Sequence, residues 1–153
     1  MIDSQSAFLR SRDLHKSYKL EKRSLEVLRG VSLDVNRGEF VALKGSSGAG
    51  KSTLLHLLGG LDSPDSGDLW IDDVALGDCG DAELCRLRNR LVGFIFQAYH
   101  LLPELSAIEN VCLAARMARV SVSKAESYAN ELLGRVGLGD RLDHRPPESS
   151  EGG

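Results

Sequence analysis

The sequence predicts an α/β fold, and three consecutive stretches predict it. Phe40-Val41-Ala42-Leu43-Lys44 is an apolar run that reads as a strand, and Leu54-Leu55-His56-Leu57-Leu58 reads as a helix. Between them lies Gly45-Ser46-Ser47-Gly48-Ala49-Gly50-Lys51-Ser52-Thr53, which meets every fixed position of the pattern G-x-x-x-x-G-K-[ST]. A helix N-terminus offers unpaired N–H donors and the positive end of the helix dipole, which suits a phosphate. Gly45, Gly48 and Gly50 let the backbone curl until successive N–H groups face phosphate oxygens without Cβ clashes. Lys51 adds a point charge for β- and γ-phosphates, and the Ser52 hydroxyl suits a Mg²⁺ ion. A glycine-rich turn that merely precedes a helix would need none of the lysine, the hydroxyls or the strand. The stretch predicts a nucleoside triphosphate site.

Bulk properties narrow the class. The chain of 153 residues is long enough for one domain with a sizeable core. Its formal net charge of −3 gives no electrostatic reason to expect nucleic acid as a partner. Met1 to Arg12 lacks the apolar run of a signal peptide, and no stretch approaches the roughly 18 apolar residues of a membrane span. Cys79, Cys85 and Cys112 form no C-x-x-C pair and read as free thiols of a reducing cytosol. A cytoplasmic domain is expected.

Taken in order, Phe8 to Leu14 alternates as a strand, and Lys16 to Arg23 reads as a charged connector holding one aromatic, Tyr18. Val27 to Val35 is the next strand, with turn chemistry in Asn36-Arg37-Gly38. The short connections make these early strands antiparallel. After the helix that starts near Lys51, Asp62 to Gly67 is a turn, without the residue order of a calcium loop. Asp68 to Ile71 is a short strand, and Asp72 and Asp73 are solvated turn residues after it. Asp81 to Leu91 is a helix with Asp81 as its N-cap, and Val92 to Phe96, apolar on both faces, suits a buried parallel strand ending at Gln97. Ser106-Ala107-Ile108-Glu109 and Ser123-Lys124-Ala125-Glu126 are capping boxes, opening helices through Ala118 and Val136. The second helix aligns Ala125, Tyr128, Ala129, Leu132, Leu133 and Val136, which places Tyr128 in the core, with Gly137 and Gly139 suited to its C-cap. The histidines His15, His56, His100 and His144 have no metal-ligand spacing.

Together these residues resemble the nucleotide-binding subunit of ATP-binding cassette (ABC) transporters over about Leu9 to Pro147. The resemblance is carried by Tyr18, by Val27 to Leu33 with Arg37-Gly38-Glu39, and by Leu58 to Asp62 with Pro64 and Gly67. Phe96 to Pro103 with Glu109-Asn110-Val111 looks closest to lipoprotein-releasing and macrolide-export ATPases. It implies a P-loop NTPase fold, here with an N-terminal antiparallel β part, part of the core parallel sheet and a helical subdomain. It implies ATP and Mg²⁺ as cofactors. Tyr18 would stack on adenine, and Gly45, Ser46, Ser47, Gly48, Ala49, Gly50 and Lys51 would hold phosphates. Thr53 would meet the α-phosphate, while Ser52 and the Q-loop glutamine, Gln97, would serve Mg²⁺ and the attacking water. Partners would be a transmembrane permease and a second nucleotide-binding subunit in a head-to-tail dimer, on the cytoplasmic face of the inner membrane.

The family's signature L-S-G-G-[QE] should follow Arg145-Pro146-Pro147-Glu148, where Ser149-Ser150-Glu151-Gly152-Gly153 stands instead. The strand ending in D-E and the switch histidine are not among these residues. The expectation is therefore a partial nucleotide-binding domain over 1–147 with a divergent, disordered tail over 148–153, which binds ATP without hydrolysing it. The alternative is a non-catalytic fragment that serves only as a partner-binding module. A phosphate-loop kinase or GTPase is a third reading, but no guanine-reading motif or arginine-rich lid supports it.

Overall fold

The computed structural model describes residues 7–21, 23–96 and 98–146. The chain divides into two compact units, Met1–Val92 and Gly93–Gly153. Proposed tail residues 148–153 and Gln97 lie outside the described residues.

The first unit is built on a four-stranded sheet. Strand β1 (Leu9–Leu20) pairs antiparallel with β2 (Arg23–Val35) on one side and with β3 (Ser66–Ile71) on the other; β4 (Val74–Ala75) closes the edge beyond β3. The antiparallel expectation is met, but β1 extends to Leu20, so Lys16 to Leu20 is strand and not connector. Beyond His15, which pairs with Ser66, β1 keeps only its β2 ladder. This stretch buries the stem of Lys16 in place of an apolar side chain, which is why its charged sequence concealed it. Asp72 and Asp73, at φ 49° and 64°, form the two-residue turn into β4. They are more than solvated residues: Arg37 donates to Asp72, and Arg10 donates to Asp73 at 2.8 Å.

Helix α1 (Lys51–Leu58) buries Leu54, Leu57 and Leu58 against Leu14, Leu28, Leu69 and Ile71 of the sheet, and α2 (Asp81–Leu91) adds Leu87 to the same core. The N-cap of α2 is Gly80, with Asp81 inside the first turn, where its charge still favours the helix dipole. Arg88 of α2 donates to the Gly60 carbonyl at 2.6 Å and so ties α2 to the end of α1.

In the second unit, α3 (Ala107–Met117) begins with the expected capping box. Glu109 N donates to Ser106 Oγ at 3.4 Å, and Ser106 N donates to Glu109 Oε2 at 2.8 Å. Helix α4 (Val122–Arg135) differs from expectation at its start. Its N-cap is Ser121, which makes no side-chain cap bond, and Ser123 lies within the helix. Its C-terminus closes on Gly137 at φ 77°, with Gly137 N bonded to Gly134 O and Leu138 N to Leu133 O. That is a Schellman cap. Ala125 and Ala129 pack on Cys112 of α3. Small residues spaced four apart form the contact line, so Tyr128 falls beside it and is 59 % exposed rather than core, and Val136 is exposed too.

Two expected parallel strands are not formed. Neither Phe40–Lys44 nor Val92–Phe96 joins a ladder, and every pairing among the described residues is antiparallel. Phe40 is 93 % exposed, and Ile95 is fully exposed. An apolar run satisfies its backbone as a strand only beside a hydrogen-bonding neighbour, and no described segment supplies one.

Candidate functional site

Of the three glycines read from the loop sequence, Gly45 is not at positive φ, whereas the other two are. Gly48 and Gly50 take φ 77° and 83°, the left-handed region, and Gly50 is the N-cap of α1. Gly50 is required on a second count. A Cβ there would meet Val27 Cγ1 at 2.9 Å, Leu28 Cδ2 at 3.0 Å and the Val27 carbonyl at 3.1 Å. Strand β2 makes that approach at a bulge: Lys16 pairs with Leu28 and Ser17 with Glu26, leaving Val27 without a partner in β1. The strand's irregularity thus seats the loop.

The α1 N-terminus is open to an anion. Gly50 provides no side-chain cap, and the first turn carries no acidic residue. First-turn N–H groups have no acceptor within their own helix, so they stay available to an external acceptor. Within the loop, Ala49 N bonds to Ser46 O at 3.3 Å and holds the turn. Lys51 reaches back across it, its ammonium donating to Gly45 O at 2.9 Å and Ser46 O at 2.6 Å. Ser46, Ser47, Gly48, Ala49 and Ser52 are exposed, whereas Lys51 and Thr53 are half-buried. A cradle of N–H groups, one ammonium and two hydroxyls fits a polyphosphate and an accompanying hard cation.

Tyr18 stands near the end of β1, opposite Leu25 of β2, and is 39 % exposed. Its hydroxyl donates to Asp62 Oδ2 at 3.1 Å. Lys16 Nζ lies 5.4 Å from the Tyr18 ring centroid and donates to Asp62 Oδ1 at 2.9 Å and to Ser63 O at 2.6 Å. The hydrogen bond from Lys16 holds the Asp62 carboxyl below the ordinary carboxylate range, and the same bond raises the Lys16 ammonium. Sequence reasoning passed over Lys16 and Asp62; the i, i+2 spacing of Lys16 and Tyr18 was the available signal. A cleft of about 540 Å³, lined by Asp62 to Trp70 and by Ala75 to Cys79 among others, includes Asp62 but none of residues 45–53.

Among the described residues, no cluster of histidine, cysteine, aspartate and glutamate has metal-site geometry, and no helix is long and apolar enough to cross a membrane. The three cysteines are free thiols.

Comparison with known proteins gives these features a setting. The family model for ABC transporters matches residues 28–152. The lipoprotein-releasing system ATP-binding protein LolD of Myxococcus xanthus is 51 % identical over 146 residues, covering 95 % of this chain and 65 % of that protein. LolD of Pseudomonas fluorescens is 48 % identical over 149 residues, covering 97 % of this chain and 66 % of that protein. A solved dimer of the ATP-binding cassette MJ0796, bound to ADP and Pi, superposes with a TM-score of 0.83 at 35 % identity, over 93 % of this chain and 63 % of that one. The chain spans somewhat less than two thirds of the length of these relatives.

Proposed function

The chain belongs to the ABC transporter family, and from that premise we propose that it binds ATP as the nucleotide-binding part of a lipoprotein-releasing type transporter. The observation that carries the reading is the uncapped α1 N-terminus with Lys51 folded across it, behind a Gly50 that tolerates no side chain. Backbone N–H groups of Gly45 to Lys51 would surround the β- and γ-phosphates, Thr53 would meet the α-phosphate and Tyr18 would stack on adenine. The ammonium of Lys51 exchanges two carbonyl acceptors for phosphate oxygens, a gain because bonds to a charged acceptor are stronger. A Mg²⁺ ion would neutralise phosphate charge there, held by Ser52 and, by family resemblance, Gln97.

By family resemblance its partners would be a transmembrane permease and a second nucleotide-binding subunit, on the cytoplasmic face of the inner membrane; that the MJ0796 cassette is a dimer supports the second of these. The exposed Ile95 and Tyr99 of the second unit support a partner contact there.

Calorimetric titration with MgATP tests this reading. Replacing Lys51 by Ala removes a charge-assisted contact and weakens binding about 10- to 100-fold. Unchanged affinity would remove the loop assignment. A second reading, a partner-binding module indifferent to nucleotide, draws on the same exposed Ile95 and Tyr99. It requires co-purification with a membrane protein without ATP and equally with Lys51→Ala.

A further inference from the structure

We propose that Asp62 is a positioning residue for the base-stacking platform, holding the Tyr18 ring in place before the nucleotide arrives. The proposal rests on the reading that Tyr18 stacks on adenine.

An aromatic side chain on a strand with only one neighbour has little packing to fix it. Tyr18 is in that position, yet its hydroxyl is held by Asp62 at 3.1 Å. Asp62 is itself held by two further bonds. It receives Lys16 at 2.9 Å and its own neighbour's N–H, that of Ser63, at 2.8 Å. Lys16 is anchored again at Ser63 O, and its side chain is only 12 % exposed. The same turn is fastened to β1 by Ser17 N to Asp65 Oδ2 at 2.6 Å and by Asp65 N to His15 O at 2.9 Å.

The arrangement also sets which side of the ring is free. The Lys16 ammonium lies 5.4 Å from the ring centroid, within cation–π range, so a base stacks on the other face. Asp62 further joins the platform to the phosphate loop. Leu61 N and Asp62 N bond to His56 O of α1 at 2.8 and 3.4 Å. One helix therefore carries the phosphate cradle at its N-terminus and the platform's anchor just past its C-terminus. Two recognition elements held by one rigid element keep a fixed separation, which lowers the ordering cost of binding a molecule that has both a base and phosphates.

Affinities of the chain for ATP and for inorganic tripolyphosphate, which has no base, test the proposal. Tyr18→Ala should weaken ATP about 5- to 100-fold and leave tripolyphosphate unchanged, the loss expected for one stacked base. Asp62→Ala and Tyr18→Phe should each weaken ATP about 2- to 12-fold, the cost of ordering one side chain on binding. Both should leave tripolyphosphate unchanged. Asp62→Asn, whose amide oxygen still accepts the hydroxyl, should restore most of the ATP affinity, and Asp62→Ala should add nothing in a Tyr18→Ala background. Equal losses for both ligands in Asp62→Ala would make Asp62 a structural clamp and overturn the proposal. So would full ATP affinity in Tyr18→Phe, which breaks the same bond without touching Lys16 and serves if Asp62→Ala fails to fold. If Tyr18→Ala itself leaves ATP affinity unchanged, the platform reading fails, and the proposal falls with it for that separate reason.

Discussion

Replacing Gly50 by Ala should be far more costly than the same change at Gly48, and the structure supplies the difference. Both residues sit at positive φ, 83° and 77°. An L-residue there costs about 1–2 kcal/mol, of which roughly 0.4–1 kcal/mol is returned by a stiffer unfolded chain. The new methyl at 48 has nothing within 4 Å, whereas the one at 50 meets Val27 Cγ1 at 2.9 Å, Leu28 Cδ2 at 3.0 Å and the Val27 carbonyl at 3.1 Å. The carbonyl belongs to a paired strand, and Leu28 is buried, so relief needs a shift of β2 or of α1. Overpacking of that kind costs about 1–3 kcal/mol more. Gly50→Ala should then lose about 1–4.5 kcal/mol and Gly48→Ala about 0–1.5 kcal/mol. Thermal unfolding followed by circular dichroism resolves this, at about 4–8 °C per kcal/mol for a unit of this size. Equal shifts for the two variants would refute the reasoning that β2 seats the loop.

Two further outcomes follow from the same contacts. Ser106→Ala breaks a reciprocal capping box and should cost about 1 kcal/mol, while Ser121→Ala, at a cap without a side-chain bond, should cost nothing measurable by urea titration. The Asp62 carboxyl is held below its ordinary range by Lys16, so the stability it contributes is present above its unfolded pKa and is lost as pH falls through its lower folded value. Unfolding midpoints measured from about pH 5 down to about pH 3 should therefore fall more steeply for the wild type than for Asp62→Asn; parallel slopes would contradict the pairing.

The phosphate loop was legible because its requirements are local: glycine where φ is positive, a lysine and hydroxyls next to them, and a helix behind. The reason Gly50 in particular must be glycine was not, since the contact comes from a bulge in β2 more than 20 residues upstream, at Val27. Strand β1 beyond His15 was concealed because what it buries is the stem of a charged side chain, Lys16, so no apolar alternation is written there. Tyr128 shows the opposite error. A helical stripe drawn broadly included it, but close packing of α4 on α3 runs through Ala125 and Ala129, and the larger ring is left outside. Phe40–Lys44 and Val92–Phe96 have strand composition without strand pairing, because hydropathy records what a segment can bury and says nothing of which neighbour will bond to it. The Lys16–Tyr18–Asp62 cluster joins residues 44 apart in sequence through hydrogen bonds, and no periodicity reports that.

The central claim is that nucleotide phosphates are held by the backbone N–H groups between Gly45 and Thr53. Amide hydrogen exchange, measured residue by residue with and without MgATP, tests it most directly. At a MgATP concentration just sufficient to saturate the wild type, exchange at Gly48, Gly50, Lys51 and Ser52 should slow in the wild type and much less in Lys51→Ala. Protection that appears instead along the Asp62–Asp81 cleft, with the loop amides exchanging as before, would contradict it.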